Sequence, residues 1–199
     1  METYRYPQFP PELATVYAAL FTDVQNAAEL KTRLVSASVM PGNEGDVERE
    51  AVNFAFVDAR LVTSVLHLQT AIYHAILAAT QDSLRTKTVH SEVLWTLNPS
   101  NNISEAFRRY GVTDDSKALF VIRIDKDVSD IVPKMQAAVK GTVAPLSSLS
   151  NITDWAAVNK YHKLNNELAV REHARDPARE RVIVDEIVIS SVAMKSVQA

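Results

Sequence analysis

NFAFVDARLVTSVLHLQTAIYHAILAATQDS, residues 53–83, carries a strand and a long helix end to end. Asn53-Phe54-Ala55-Phe56-Val57 reads as the strand. Asp58 is placed to cap the helix after it, because a carboxylate at a helix start accepts a free backbone N–H. From about residue 59 to 83 apolar residues recur at three- and four-residue spacing. Leu61, Val65, Leu68, Ile72 and Ile76 make one stripe, and Val62, Leu66, Gln69, Tyr73 and Leu77 lie beside it. A stripe this wide predicts a helix buried along most of one side.

Working outward, residues 92–97 read as a strand ended by Asn98-Pro99. Asn102-Ile103-Ser104-Glu105 matches a capping box, with Glu105 reaching back to the Asn102 N–H. The short helix it opens ends at Gly111, which tolerates left-handed dihedrals. Asp114-Asp115-Ser116 turns the chain into 118–124, ALFVIRI, the clearest strand of all. Upstream, Tyr6-Pro7-Gln8-Phe9-Pro10-Pro11 is a rigid lead-in. Residues 16–21 read as a buried strand and 26–36 as an amphipathic helix, while 40–51, with two glycines, a proline and many charges, read as a flexible surface loop. Downstream come helices at 130–140, ended by Gly141, and at 152–171. Asp176-Pro177 supplies an N-cap and first-turn pair for a C-terminal helix at 178–195. The β-branched run within that segment leaves a strand as the alternative. The sum is one α/β domain over 1–199: a small, mostly antiparallel sheet of about four strands covered by five or six helices.

Composition narrows the chemistry. The 199 residues are 47% hydrophobic and 23% charged, include no cysteine and carry a net charge of −3. A disulfide scaffold, a thiolate metal site and cysteine catalysis are excluded. The N-terminal residues predict no secretory signal. A net acidic chain holds nucleic acid only through a local patch or with partner chains. Of four glycines only Gly42 and Gly45 are close, in an acidic setting that repels phosphate. His67 and His74 read as flanks of the long helix, with no acidic residue at a metal-ligand spacing between them. Asp114 and Asp115 read as turn residues, and no nucleophile elbow is present. No catalytic residue, cofactor or metal is expected. Arg60, Arg85, Lys87, Arg108 and Arg109 sit at element ends and would form a phosphate patch if the fold gathers them; otherwise they are solvated helix ends.

Tyr6-Pro7-Gln8-Phe9-Pro10, the run from Phe54 through Asp58-Ala59-Arg60 to Val62, and Asn102-Ile103-Ser104-Glu105-Ala106-Phe107 with Gly111-Val112-Thr113-Asp114-Asp115-Ser116 occur in this order. Together they resemble the kinase-binding subunits of the KEOPS (EKC) complex, the family of the animal PRPK-binding protein (TPRKB), and most resemble its fungal branch. The resemblance spans nearly the whole chain, though 40–51 and 166–181 are longer than the family pattern. It implies a mixed α/β adaptor without activity of its own, bound to the small atypical kinase or ATPase of the complex. Through that kinase it implies an indirect link to the subunit that makes N6-threonylcarbamoyladenosine on tRNA. It further implies contact with the tRNA acceptor end, here by Arg60, Arg85, Lys87, Arg108 and Arg109, a link to telomere maintenance and transcription, and a nuclear and cytoplasmic location. No membrane is implied. The kinase-docking face is expected on the last helix, at Ile183, Val184, Ile187, Val188 and Met194. Two rival readings stand beside this one: a small α/β metabolite enzyme using His90 or Glu92, and a stand-alone RNA-binding domain.

Overall fold

The computed structural model describes residues 1–127 and 129–198, with side chains as far as Lys195 at the C-terminal end. Five strands form one antiparallel sheet: β1 (Glu2–Arg5), β2 (Thr15–Thr22), β3 (Ala55–Asp58), β4 (Leu119–Asp125) and β5 (Thr142–Ala144). The order is β1-β2-β4-β3, with β5 continuing the β1 edge along β2. β2 and β4 pair from Thr15↔Asp125 to Phe21↔Leu119. Both are buried on both faces, so they appear in the sequence as continuous apolar runs rather than as alternating ones. Val16, Ala18, Leu20, Phe120, Ile122 and Ile124 face one core, and Tyr17, Ala19, Phe21, Leu119 and Val121 face the other. β3 covers β4 only as far as Ile122. Beyond it the Ile124 N–H is satisfied by His90 Nε2 at 2.9 Å.

Helices close both faces. α1 (Ala27–Val39), with α2 (Gly42–Ala51) packed on it, and α6 (Ile131–Ala138) cover the second core. α3 (Val65–Thr80), α4 (Val89–Leu97), α5 (Ile103–Tyr110), α7 (Trp155–Tyr161), α8 (Leu168–Glu172) and α9 (Pro177–Gln198) build over the first. α9 is a helix, capped as its sequence predicts: Asp176 accepts the Arg179 N–H at 3.2 Å.

Several expected elements differ. Residues 40–51 are not a loop, since α2 fills them. Gly42 turns the chain in at φ +69°, and a Cβ on Gly45 would lie 2.1 Å from the Met40 carbonyl oxygen. Both glycines serve the entry to a helix tied to α1 by Arg33–Glu48 at 2.5 Å and by Arg49 Nη1 on the Ala37 carbonyl at 3.0 Å. Residues 92–97 are helical, within α4, not a strand. Every one of them is buried, which erases the helical period, and Thr88 with Ser91 forms its capping box. Asp58 caps only a 3-10 turn, Ala59–Leu61, and α3 starts afresh under Ser64, which accepts the His67 N–H at 3.0 Å. Residues 152–171 break into α7, a 3-10 turn and α8 at Lys163, whose φ is +59°. Gly111 lies at φ −77°, outside the left-handed region; it is needed because a Cβ there would sit 2.4 Å from the Phe107 carbonyl oxygen.

Candidate protein-docking surface

The expected docking face on α9 is largely consumed by the protein itself. Val184 and Val188 are 1% and 0% exposed, and Ile183 is buried with them in the core beside α3. Ile187 is half-buried against the same core. Only Met194, 49% exposed, remains outside. The reason is geometric: α9 has no sheet face of its own to cover, so its apolar side closes over α3 and completes the first core. Its last described turn is pinned as well. Lys195 Nζ meets the carbonyls of Trp95, Asn98 and Ser100 and lies 4.0 Å over the Trp95 ring, and burial pushes its pKa down to about 8.

The five basic residues are not brought into one patch. Arg60 precedes α3 and is engaged by Asp58 at 2.9 Å. Arg85 and Lys87 follow α3, whose 16 residues put about 24 Å between the two ends. Arg109 is neutralised by Glu105, stacks on Tyr161 at 4.4 Å, and touches Asn98 at the far end of α4. Arg108 is exposed, 4.0 Å from Glu105. Arg85 and Lys87 have exposed side chains without an acidic partner among the described residues.

The residues named for a metabolite enzyme are structural. The buried Glu92 carboxylate accepts the Arg85 N–H at 3.1 Å, the Thr86 N–H at 2.8 Å and the Thr86 hydroxyl at 2.6 Å, which fastens residues 85–86 to α4. His90 spends its Nε2 lone pair on Ile124, and burial drives its pKa down to about 3. His67 is no flank residue: it is fully buried, its Nδ1 takes the Thr63 N–H at 3.2 Å, and burial lowers its pKa to about 3. His162, half-buried against the Tyr110 hydroxyl, falls to about 4 for the same reason. Among the described residues no group of three His, Asp or Glu side chains could hold a metal ion, and no helix is long and apolar enough to cross a membrane.

What sequence reasoning misplaced is the outer side of α3. Within α3 the second row of its stripe stays at the surface, with Leu66 57% and Tyr73 37% exposed, while Val62, ahead of the helix, is buried. The Tyr6 and Phe9 rings come up against Tyr73, with centroids 5.8 and 5.3 Å away. The signal was available, because none of the 16 residues of α3 is Asp, Glu, Lys or Arg. A helix apolar all round belongs inside a protein or under a partner.

An α/β domain with both cores filled and an uncharged helix face left in solvent has the surface of a protein-binding module. Comparison with known proteins gives the family. Residues 21–196, from the last residues of β2 into the final turn of α9, match the family model described as "Kinase binding protein CGI-121". The "EKC/KEOPS complex subunit CGI121" of Cryptococcus neoformans is 36% identical over 99% of this chain and 100% of its own length. The subunit of the same name from Neurospora crassa is 34% identical over 98% of both chains, and that of Aspergillus fumigatus 32% identical over 82% of this chain and 84% of its own. The chain belongs to the CGI-121 family of kinase-binding proteins.

Proposed function

We propose that this protein is a non-catalytic adaptor that binds the small atypical kinase of an EKC/KEOPS assembly and supports its part in N6-threonylcarbamoyladenosine modification of tRNA. The observation that carries this is the family match, which covers residues 21–196 and with them every helix of the α3 layer. The kinase would link the chain to the threonylcarbamoyl transferase subunit. Exposed Arg85, Lys87 and Arg108 are the side chains left for phosphates of the tRNA acceptor end, at two places rather than one. Nuclear and cytoplasmic residence and a part in telomere maintenance and transcription go with the same reading. Co-expression with the kinase subunit tests it. A stoichiometric complex through size exclusion is the expected result, with no threonylcarbamoyl transfer by this chain alone. Absence of a complex, or transfer by the isolated chain, overturns the reading.

A further inference from the structure

We infer that the kinase docks on the outer stripe of α3, and that it does so with an apolar helical or strand element rimmed by Lys or Arg. This deepens the proposed adaptor role and rests on it. Leu66, Thr70, Tyr73, Leu77 and Thr80 succeed one another at spacings of four, three, four and three residues, the periodicity of a seam between packed helices. Their helix has no charged residue, and its opposite side is already spent: His67, Leu68, Ala71, Ile72, Ala75 and Ile76 are all buried. Within the monomer the seam is covered only in part, by the Tyr6 and Phe9 rings at Tyr73. Tyr6 and Phe9, each followed by a proline, widen it beside Tyr73 with rings 6.2 Å apart.

The charge around the seam selects the partner. Tyr4 bonds both Gln69 on α3 and the exposed Glu2 carboxylate, which sets an acid beside the stripe. Glu2 has no cationic partner among the described residues. An unpaired acid beside the N-terminal half of the stripe favours a basic counterpart there and disfavours a second copy of this chain, which would set its own Glu2 against it. The α9 surface offers less, since its apolar side chains close the core.

Affinity of the purified chain for the kinase subunit, measured by calorimetry at 50 and 300 mM salt, tests this. Leu66→Glu should weaken binding at least about 100-fold while circular dichroism stays unchanged, because Leu66 is already exposed. Glu2→Lys should weaken it severalfold at low salt and reduce the salt dependence. Thr70→Arg, a second change on the seam, guards against an effect peculiar to Leu66. If the unaltered chain binds and both seam variants bind equally well, the docking surface is elsewhere and this inference falls while the adaptor reading stands. If the unaltered chain does not bind, both fall. A dimer in sedimentation that Leu66→Glu dissolves would assign the seam to a second copy and overturn the inference.

Discussion

The buried histidines should make this protein lose stability in mild acid. His67 and His90 lie fully inside the first core, and each uses a ring lone pair to accept a backbone N–H, from Thr63 and from Ile124. Protonation would destroy both bonds and leave a charge without solvent. Their pKa values in the fold fall to about 3, against 6.5 for an exposed imidazole. The unfolded chain therefore binds more protons than the fold throughout the interval between those values. Stability is complete above pH 6.5, declines as pH falls below it, and stops declining once the folded pKa is passed. The limiting slope is about 1.4 kcal/mol per pH unit for each group, so at pH 5 the pair costs about 4 kcal/mol. His162, lowered to about 4 and less deeply placed, adds to this in the same direction. Domains of this size are stable by about 5–15 kcal/mol, so the loss is a large fraction of the whole. Urea unfolding followed by far-ultraviolet circular dichroism at pH 7.5, 6.5, 5.5 and 5.0, at constant ionic strength, measures it. In His90→Gln the slope should be shallower by about 1.4 kcal/mol per unit. A stability that stays constant to within about 1 kcal/mol from pH 7 to 5, less than the effect of one such group, would refute the neutral, hydrogen-bonded imidazoles.

Other outcomes rest on particular contacts. Val188→Asp places an unpaired charge in the core under α9 and should cost more than about 3 kcal/mol in thermal or urea unfolding, whereas Met194→Asp, on the outside, should change stability by less than about 0.5 kcal/mol. Gly45→Ala forces a Cβ against the Met40 carbonyl and should destabilise α2 by about 1–3 kcal/mol, visible as faster amide exchange over Gly42–Ala51. Lys195→Met leaves the carbonyls of Trp95, Asn98 and Ser100 without their donor. It should cost about 1–3 kcal/mol and loosen the end of α9 in hydrogen exchange.

The two central strands were legible in the sequence because a strand buried on both faces is apolar along most of its length, as 16–21 and 118–122 are; Arg123, the one charge in the second run, is tolerated because Glu50 and Asp125 neutralise it. The caps were legible because they are local: Asn102 does accept the Glu105 N–H at 3.0 Å, and Asp176 starts α9, but the capping box at Asn102 is only half formed, since the Asn102 N–H goes to Ser100 Oγ at 3.4 Å and Glu105 accepts from the Ser100 hydroxyl instead. α4 escaped for the opposite reason. Burial on all sides removes the polar face that gives a helix its period, so six consecutive buried residues look like a strand. α2 escaped because glycine and charge suggest a loop when the contacts that need them, the Met40 carbonyl and Arg33, lie outside the segment.

The candidate site divides along the same line. Hydropathy and composition alone established that α3 and α9 each carry an apolar face and that the chain holds no cysteine chemistry; the family entered only as a resemblance carried by motifs from the lead-in to the Ser116 turn. Which apolar face the core would use was decided only in three dimensions. α9 arrives last, against a side of α3 that still lacks cover, and gives up Val184 and Val188 to close it. The remaining row of α3, Leu66 and Tyr73, is then left with only the lead-in rings of Tyr6 and Phe9 against Tyr73. The cations were decided in the same way, since a 16-residue helix keeps Arg60 and Arg85 apart however near they stand in the chain. A sequence records how much apolar surface each helix must hide, but which surface finds a place inside depends on the order and direction in which the helices stack.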